Sequence, residues 1–386
     1  MLKIGIDARI LQLERRGQGQ YVYYLAESLF EIDKEDIFLL FYNGFKRGNF
    51  AFPVNKVNFK QVWSRAPGRI VQPLWEHCNF PPVESFVGKL DVFHNPFNFN
   101  FTYYTPIPSL ARMVATFNGM ADPQTLRAGL KSDELAKINR WFEVIARRAS
   151  RIIVVSRMVK EDLLRRVKID EKKIKVVYYG VNDEFSPVQD RKKLEGVLEK
   201  YNLNGKRYLF YAGAAEKNKN LFSLLEAFSL IRKNSRFESV WLVLAGGIDE
   251  AYRLVIERSK QLNLSDRVIF TGYIGHEDLP YVYNAAEAFV LPTFYEWFGI
   301  PVLEAMKCGV PVIASKNTGA LEVAGDAAVT FDPLDTQELA YCMEKVLGDP
   351  GLRNKLKEKG LKIASGFPWE KTARETLEVY KEAYGA

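Results

Sequence analysis

The feature that most constrains the fold is an alternation of short apolar runs with amphipathic helical patterns along the whole sequence. Leu2–Ile6 and Ile152–Val155 in the first half, and Tyr208–Tyr211 and Ala288–Leu291 in the second, are apolar runs of strand length. Continuous apolarity is typical of strands that are buried on both faces. Helices between such strands cover both faces of a parallel sheet, so the sequence predicts a doubly wound α/β fold.

The length of the chain and a polar break in its middle indicate two domains. A chain of 386 residues is too long for one ordinary hydrophobic core. The polar stretch Asn182–Pro187 looks like a domain exit, and the charged residues 190–200 follow it. We therefore predict Rossmann-like domains over residues 1–182 and 183–366, with 367–386 as a helix that crosses back to the first. Doubly wound sheets bind ligands at the carboxyl ends of their strands, which predicts a site in a deep cleft between the domains.

Composition narrows the class of protein further. Hydrophobic residues at 47% and charged residues at 26% are typical of a globular protein. No apolar run approaches the ~20 residues that a membrane-spanning helix needs, and the first residues lack a signal-peptide core. These features predict a cytoplasmic location. Three cysteines and three histidines show no metal-ligand spacing, so we expect no metal site.

The net charge is concentrated in the N-terminal half. Lys plus Arg minus Asp plus Glu is +10 for residues 1–182 and −3 for residues 183–386, which sum to +7. An anionic partner and a solvated basic face without a partner fit this asymmetry equally well. We expect no nucleic acid, because no binding module accompanies the charge. If the basic half has an anionic partner, that partner could be anionic lipid at the inner membrane face. The basic residues concerned are Lys46, Arg47, Arg65, Arg69, Arg147, Arg148 and Arg151.

Two glutamates stand out in the apolar segment 291–315. Glu296 and Glu304 lie eight positions apart around a Phe-Gly-Ile-Pro turn. A strand that ends at Leu291 and a helix that begins at Pro301 place Glu296 in a loop and Glu304 about one helical turn further. From the spacing alone, the simpler interpretation is that Glu296 is an ordinary loop residue and Glu304 an exposed helical residue.

The start of that helix favours a phosphate group. Backbone amides at a helix N-terminus carry partial positive charge and point toward an incoming anion. Carboxylates on either side of a phosphate could accept hydrogen bonds from pairs of sugar hydroxyls. The segment therefore suggests a nucleotide-sugar site, and the amides concerned are those of Phe298, Gly299 and Ile300.

The same segment resembles a known family. The two glutamates, with Phe-Gly-Ile-Pro between them and Glu-Ala-Met-Lys-Cys-Gly-Val-Pro-Val after, are similar to the retaining GT-B enzymes of glycosyltransferase family 4. Further similar motifs follow the family's order along essentially the whole chain. They are Gly5–Arg9, Gly17–Tyr21, Val154–Ser156, Val176–Asn182, Tyr211–Gly213, Lys219–Leu221, Phe270–Ile274 and Phe367–Glu370.

The resemblance implies roles for individual residues. Glu296 would bind hydroxyls of the donor sugar, and Glu304 would accept hydrogen bonds from the ribose of the nucleotide. Lys219 would neutralise the diphosphate as the leaving group gains negative charge; by itself it is typical of a surface lysine. Other implied contacts to sugar and diphosphate are Gly17, Gln18, Gly19, Trp297, Phe298, Gly299 and Ile300, and those to the base are Tyr273 and Ile274.

Three positions depart from the family's pattern. Ala214–Ala215 stands where the family often has an arginine, so phosphate binding would depend on Lys219, with Lys217 as a substitute. Trp297 replaces a small residue, and its indole would either stack on a sugar or pack against protein. Asn118 stands where the family has a histidine. An asparagine can hydrogen-bond a sugar but carries neither a proton nor a charge in catalysis.

The resemblance also implies a mechanism. The acceptor hydroxyl would attack from the face that the nucleotide leaves, and a diphosphate oxygen would take its proton, so that configuration is retained. Such a reaction depends on positioning and charge stabilisation rather than on a side-chain base. No Asp-x-Asp sequence is present to supply a metal–diphosphate clamp. We therefore predict metal-independent catalysis and no cofactor beyond the donor substrate.

The acceptor side is open to two interpretations. The stretch His94–Tyr104 interleaves aromatic residues with asparagines after a strand. Aromatic faces and amides recognise carbohydrates, so this stretch could bind the acceptor. Its aromatic residues at every second position could equally pack inward.

Together these observations predict a hexosyltransferase that uses a nucleotide sugar and a saccharide or lipid-linked saccharide acceptor. GDP-mannose is the first donor to consider, because the Gly5–Arg9 and Lys219–Leu221 motifs look most like bacterial mannosyl- or rhamnosyltransferases of surface-polysaccharide synthesis. One alternative is a catalytically silent subunit that binds sugar nucleotides, which Asn118 and the missing arginine keep open. The other is a GT-B nucleotide-sugar epimerase, although its acid and base residues are not evident.

Overall fold

A computed structural model describes residues 1–12, 18–44, 52, 58–96, 107–119, 140, 142–316 and 318–386. Over these residues the chain forms two compact units, and each is built on one parallel β-sheet with helices in the connections between strands. The predicted α/β class with two Rossmann-like domains is confirmed.

The first unit contains a sheet of seven strands among the described residues, in the order β3-β2-β1-β4-β5-β6-β7. All of its strand pairs are parallel. The direction of strand addition reverses between β1 and β4, at the centre of the sheet. The strands are β1 (Lys3–Asp7), β2 (Ile37–Asn43), β3 (Phe59–Ser64), β4 (Val92–Asn95), β5 (Arg112–Phe117), β6 (Arg151–Val154) and β7 (Ile174–Val176).

The second unit contains a sheet of six strands among the described residues, in the order β10-β9-β8-β11-β12-β13. Its strand pairs are also parallel. The direction of strand addition reverses between β8 and β11. The strands are β8 (Tyr208–Ala212), β9 (Trp241–Ala245), β10 (Val268–Gly272), β11 (Ala288–Leu291), β12 (Val312–Ser315) and β13 (Ala328–Phe331).

Helices make most of the crossovers between these strands. No helix in the described part of the chain is both long and apolar enough to cross a membrane. The helices are α1 (Gln18–Ile32), α2 (Gly68–Cys78), α3 (Glu84–Val87), α4 (Arg157–Arg166), α5 (Arg191–Lys200), α6 (Leu221–Ile231), α7 (Glu250–Gln261), α8 (Leu279–Asn284), α9 (Ile300–Lys307), α10 (Gly319–Ala324), α11 (Thr336–Gly348), α12 (Pro350–Ala364) and α13 (Trp369–Tyr384).

Short polar side chains begin several of these helices. The Ser156 hydroxyl accepts a hydrogen bond from the Val159 amide at 3.2 Å and caps α4. An N-cap acceptor of this kind satisfies one of the amides that the first helical turn leaves open. Aspartate side chains play the same part at α5, α7, α11 and α12, namely Asp190, Asp249, Asp335 and Asp349.

The sheet of the first unit packs against a buried aromatic and aliphatic cluster. Trp75 of α2 is fully buried at its centre, and its indole N–H donates to the Pro81 carbonyl at 2.9 Å. Gly5 of β1 allows this close packing, because a Cβ atom there would lie only 2.6 Å from Leu90 Cδ1. The other buried members of the cluster are Leu39, Phe41, Val71, Val83, Phe93 and Ile107.

The chain passes between the units at two places. Residues 1–180 and 368–386 form the first unit, and residues 181–367 form the second. The first crossing therefore falls two residues before the predicted boundary after 182, and the second one residue after that predicted after 366. Backbone pairing explains both differences, because the Val181 amide donates to the Phe367 carbonyl at 2.9 Å and keeps both residues in the second unit. Helix α13 lies in the first unit, where it contacts α1.

Candidate functional site

Two loops of the second unit leave its sheet where the strand order reverses. β8 and β11 are neighbours, but the chain continues from β8 to β9 on one side and from β11 to β12 on the other. Loops that diverge in this way leave a crevice at the carboxyl edge of the sheet, where doubly wound folds bind ligands. The loop after β8 carries Lys219, and the loop after β11 carries Glu296.

These two side chains form an ion pair. Lys219 Nζ donates to Glu296 Oε2 at 2.8 Å, and the side chains are 20% and 18% exposed. Burial disfavours the charged ammonium, but the charge and hydrogen bond of Glu296, with the charge of Glu216, outweigh it and raise the pKa of Lys219. The crevice therefore holds a protonated lysine and a carboxylate, and both side chains are partly exposed to solvent.

Hydrogen bonds from neighbouring residues fasten the two loops to each other. The Asn218 carbonyl accepts from the Thr293 hydroxyl and from the Phe294 amide, both at 2.8 Å. The Asn220 side chain donates to the carbonyls of Pro292 at 3.1 Å and Pro333 at 2.9 Å. Lys219 lies between these two asparagines in a short 3-10 turn, so its backbone is fixed from both sides. This arrangement positions the ammonium for Glu296 before any ligand binds.

The start of α9 presents open backbone amides beside Glu296. Gly299 has φ of 92°, which favours glycine, and α9 begins with Ile300 and Pro301. Among the described residues, no acceptor is found for the amides of Gly299 and Ile300. Unsatisfied amides at a positive helix end suit an anionic oxygen. The backbone at this helix start therefore leaves two amides available to an anionic oxygen.

A glycine that the sequence analysis missed holds the loop of Glu296 in place. The Gly319 amide, at the start of α10, donates to the Glu296 carbonyl at 2.7 Å. A Cβ atom at Gly319 would lie 2.0 Å from the Trp297 carbonyl oxygen, so no other residue fits without moving the loop. The signal in the sequence was Thr318-Gly319 shortly after the end of β12 at Ser315, at the same edge of the sheet.

Glu304 is buried one turn into α9. It is only 6% exposed, which rules out the interpretation as an exposed helical residue. Its Oε2 accepts a hydrogen bond from the Tyr283 hydroxyl at 3.1 Å. Burial raises the pKa of Glu304 to about 7, although the hydrogen bond from Tyr283 works in the opposite direction. A carboxylate with this pKa changes its charge near neutral pH and favours any ligand whose hydroxyl groups stabilise the ionised form.

The residues proposed for the base and for the sugar face differ in exposure. Tyr273 and Ile274 follow β10 at the carboxyl edge of the sheet. Tyr273 is 52% exposed, whereas Ile274 is 4% exposed, so only the backbone of Ile274 is suited to a ligand contact. Trp297 is half-buried and packs edge-on against Tyr295, with ring centroids 4.2 Å apart. Phe298 is buried and anchors the loop in the core.

The loop after β8 rests on two tyrosine hydroxyls. Tyr211 donates to the Ala214 carbonyl at 2.7 Å, and Tyr252 donates to the Gly213 carbonyl at 3.1 Å. The loop therefore has a fixed path although Ala214–Ala215 lacks the arginine of the family pattern. Lys217 is exposed, and Lys219 is the lysine of this loop that contacts Glu296.

In the first unit, Asn118 follows β5 at the carboxyl edge of the sheet. Its Oδ1 accepts a hydrogen bond from the Tyr179 hydroxyl. Its Nδ2 is buried and has no hydrogen-bond partner in the part of the chain that the structure describes. Gln18 and Gly19 form the first turn of α1, while Gly17, Lys46, Arg47 and the aromatic residues 97–104 lie outside the described residues.

A chain of neutral hydrogen bonds runs beneath this edge of the first unit. His94 contacts the Thr116 hydroxyl through Nε2 at 2.8 Å and the Tyr380 hydroxyl through Nδ1 at 2.6 Å, and Tyr21 contacts Thr116 at 3.1 Å. His94 is fully buried, and burial lowers its pKa to about 3. The imidazole is therefore neutral and structural, a role that the sequence analysis did not predict.

Comparison with known proteins identifies the family. The model of Glycosyltransferase Family 4 matches residues 15–185, and the model of Glycosyl transferases group 1 matches residues 190–363. The O-antigen chain mannosyltransferase B of Escherichia coli is 31% identical over 293 residues, which cover 75% of this chain and 74% of the relative. The chain belongs to the group 1 glycosyltransferases.

Solved structures confirm the predicted GT-B fold class of this glycosyltransferase. The sucrose-phosphate synthase of Thermosynechococcus elongatus superimposes with a TM-score of 0.79 at 22% identity, covering 100% of both chains. The Anabaena protein HepE, in complex with UDP-glucose, gives a TM-score of 0.75 at 16% identity over 98% of this chain and 99% of its own. At these identities the likeness shows the fold alone.

The second unit of the glycosyltransferase brings most of the predicted donor residues to one sheet edge. Lys219 contacts Glu296, and the loop continues through Trp297–Gly299 into α9, which carries Glu304. Among the described residues, no group of three His, Cys, Asp or Glu side chains could hold a metal ion. The arrangement offers one cation, two carboxylates and open amides, a set that suits a phosphorylated ligand with hydroxyl groups.

Proposed function

We propose that this glycosyltransferase moves a hexose from a nucleotide sugar to a saccharide or lipid-linked saccharide, with retention of configuration. The observation that carries the proposal is the Lys219–Glu296 ion pair beside the open amides at the start of α9. GDP-mannose is the first donor to test, because the curated relative is a mannosyltransferase. The UDP-glucose bound to HepE supports a nucleotide sugar as the class of donor.

In this proposal the second unit holds the donor. The diphosphate accepts hydrogen bonds from the Gly299 and Ile300 amides and draws the Lys219 ammonium from Glu296. The carboxylate of Glu296 then accepts hydrogen bonds from hydroxyls of the sugar, which replace its hydrogen bond from Lys219. Glu304 accepts from the ribose, and Tyr283 keeps that carboxylate oriented. Tyr273, Trp297 and the Ile274 backbone complete the pocket.

Catalysis in this proposal depends on positive charge that is in position before the reaction begins. As the bond from the anomeric carbon to the diphosphate lengthens, negative charge accumulates on the leaving oxygens. Lys219 and the amides stabilise that charge, and they need little reorganisation because the loops are already fastened. Because this lysine supplies a cation, we propose that transfer requires no metal ion.

The acceptor hydroxyl approaches the face that the nucleotide leaves. A diphosphate oxygen takes its proton, so no side chain has to act as a base. Asn118 is the catalytic contribution that we propose from the first unit. Its buried Nδ2 supports this role, because it can donate a hydrogen bond to a sugar hydroxyl.

We further propose that the first unit binds the acceptor and touches an anionic membrane at the inner, cytoplasmic face. The exposed residues Arg65 and Arg69 support this, as do the apolar side chains of Ile70, Phe80 and Leu110, which are 57%, 60% and 82% exposed. Basic and apolar side chains together favour an anionic lipid surface. Flotation with vesicles that contain anionic lipid should retain the protein, and neutral vesicles should not.

The experiment that tests the proposed function is a transfer assay with GDP-mannose and an oligomannose acceptor. We expect a product whose new bond has the anomeric configuration of the donor, as read by NMR, and a rate that EDTA leaves unchanged. An inverted product would contradict retention, and a loss that Mg²⁺ restores would contradict metal independence. Binding without transfer to any acceptor would favour the silent subunit, and an altered free nucleotide sugar would favour the epimerase.

A further inference from the structure

The amide of Asn118 has one end that is fixed and one end that is open. Its Oδ1 accepts from the Tyr179 hydroxyl, while its Nδ2 is buried with no partner among the described residues. Leaving a buried amide N–H unpaired is destabilising. Native folds contain few such groups, and each needs an explanation, of which a catalytic role is one. The hydrogen bond at Oδ1 therefore decides which atom of Asn118 is available.

Tyr179 is held rigidly enough to fix that orientation. It is 6% exposed, and its ring lies 4.7 Å from Tyr21 and 6.2 Å from Trp369, measured between centroids. Both of its chain neighbours are anchored as well. The Tyr178 carbonyl accepts from the Thr372 hydroxyl at 2.8 Å, and a Cβ atom at Gly180 would lie 2.5 Å from the Trp369 amide nitrogen.

The Tyr179 hydroxyl determines which end of the Asn118 amide is available in this structure. The hydroxyl donates to the carbonyl end, and the N–H₂ end has no partner among the described residues, so it can meet a substrate. The Tyr179 hydroxyl thus matches the departure at Asn118 from the family pattern.

We propose that Tyr179 is a positioning residue, which orients the Asn118 amide so that Nδ2 donates to a hydroxyl of the reacting sugar. The inference rests on the proposed function, because that function gives Asn118 a sugar to contact. Tyr179 itself touches no substrate in this account. Its effect on catalysis passes through Asn118 alone.

A double-mutant cycle tests whether the two residues act as one unit. Tyr179→Phe removes the hydroxyl and keeps the ring, and we expect kcat to fall about tenfold with the donor KM within about twofold. Asn118→Ala should reduce kcat about 100-fold. The double variant should turn over as slowly as Asn118→Ala, because the proposed effect of the hydroxyl on kcat passes through the amide. Asn118→Asp, which keeps the acceptor and lacks the donor, should be as slow as Asn118→Ala.

A control variant separates positioning from stability. Tyr208→Phe removes another buried hydroxyl, which donates to the Val282 carbonyl at 2.6 Å at the start of β8. We expect it to lower the melting temperature by a few degrees, as we also expect of Tyr179→Phe, and to leave kcat within about twofold of wild type. The inference would be overturned if Tyr179→Phe slowed the Asn118→Ala enzyme by its full factor, or left wild-type kcat unchanged.

A measurement without turnover keeps this inference separate from the proposed function. The side-chain amide protons of Asn118 can be assigned by ¹⁵N-asparagine labelling and their loss in Asn118→Ala. We expect one sharp pair in the wild type, and a shifted or broadened pair in Tyr179→Phe, because the amide can then rotate. An unchanged pair would overturn the role of Tyr179. A wild type that transfers no sugar would overturn the proposed function, and the NMR result would still decide whether Tyr179 orients the amide.

Discussion

The carboxyl edges of the two sheets use opposite chemistry. In the second unit the edge carries charge, with Lys219 and Glu296 about one-fifth exposed beside open amides. In the first unit the buried groups beneath Asn118 are neutral, and His94 connects Thr116 to Tyr380, while the ion pair of Asp7 and Arg9 at the end of β1 is itself buried. One edge can stabilise a charged leaving group. The other can hold hydroxyls in place without competing for that charge.

In the proposed function this difference gives distinct tasks to two domains of similar architecture. A diphosphate gains negative charge during transfer, and a lysine with helix amides stabilises it where it forms. An acceptor hydroxyl gains little charge if a diphosphate oxygen takes its proton, so neutral donors such as Asn118 are sufficient to orient it. Variants of the charged edge should therefore change the chemical step strongly, and variants of the buried network of His94, Thr116 and Tyr380 beneath Asn118 should change stability more than rate.

The largest effect is expected at the charged edge. Glu296→Ala should lower kcat at least about 10³-fold, because the sugar loses its acceptor and Lys219 loses its partner. The fold should persist, since Glu296 lies in a loop at the surface of the crevice. Steady-state kinetics and circular dichroism measure the two effects.

A matched control for that variant is Glu226→Ala. Glu226 also forms an ion pair in the second unit, with Arg258 at 2.7 Å, but away from the crevice on α6. Its removal should leave kcat within about twofold, as expected for an exposed pair. Turnover by Glu296→Ala close to that of this control would contradict the assigned role.

The neutral edge predicts a pH-dependent stability. The pKa of His94 is lowered to about 3 by burial, against an ordinary value of 6.5. Below pH 6.5 the unfolded chain therefore binds a proton at this histidine, whereas the folded chain does not. The contribution of His94 to stability is complete above pH 6.5 and is lost as the pH falls toward 3. Between pH 6.5 and 5 the free energy of unfolding should fall by about 2 kcal/mol from this group alone.

Denaturant titrations at several pH values can isolate that contribution. His94→Gln should show a shallower decrease of stability below pH 6.5 than the wild type. His276→Gln, which replaces the half-buried histidine of the second unit, should keep the contribution of His94. Equal slopes in the wild type and His94→Gln would contradict the neutral network.

The smallest effect concerns donor affinity near neutral pH. Burial raises the pKa of Glu304 to about 7, and ribose hydroxyls would bind its ionised form. Because the free carboxyl is mostly protonated at pH 6 and ionised at pH 8, donor affinity should rise about tenfold between them. Calorimetry in buffers of different ionisation enthalpy should show proton release at pH 7. Glu304→Gln should show neither effect, and an unchanged pH dependence in that variant would assign it to another group.

The sequence predicted the placement of residues that are close together in the chain better than contacts between residues that are far apart. Glu296 and Glu304 share one loop–helix segment, so their spacing and Pro301 were enough to place both. The ion pair joins residues 77 positions apart, and only the family resemblance related Lys219 to Glu296. His94 and Tyr380 are 286 positions apart, and no local pattern links them.

Two glycines show the same difference between local and distant contacts. Gly299 belongs to the Phe-Gly-Ile-Pro turn, which the sequence shows locally, and its φ of 92° favours glycine. Gly319 is required because the Trp297 carbonyl would lie 2.0 Å from any Cβ atom, and that carbonyl comes from a different loop. A close approach between separate loops leaves no periodic signal in the sequence, so the fold had to be known first.

The most direct test of the charged edge is calorimetric binding of GDP-, UDP-, ADP- and dTDP-sugars, each compared with its free nucleotide, to the wild type and to Glu296→Gln. We expect one nucleotide to bind the wild type with micromolar affinity. Its attached sugar should tighten that binding at least about tenfold, which corresponds to the free energy of one or two hydrogen bonds to a charged group. In Glu296→Gln the nucleotide should still bind, and the advantage of the sugar should disappear. No binding across the panel, or an advantage of the sugar that survives in Glu296→Gln, would contradict the claim that this edge holds a nucleotide-sugar donor.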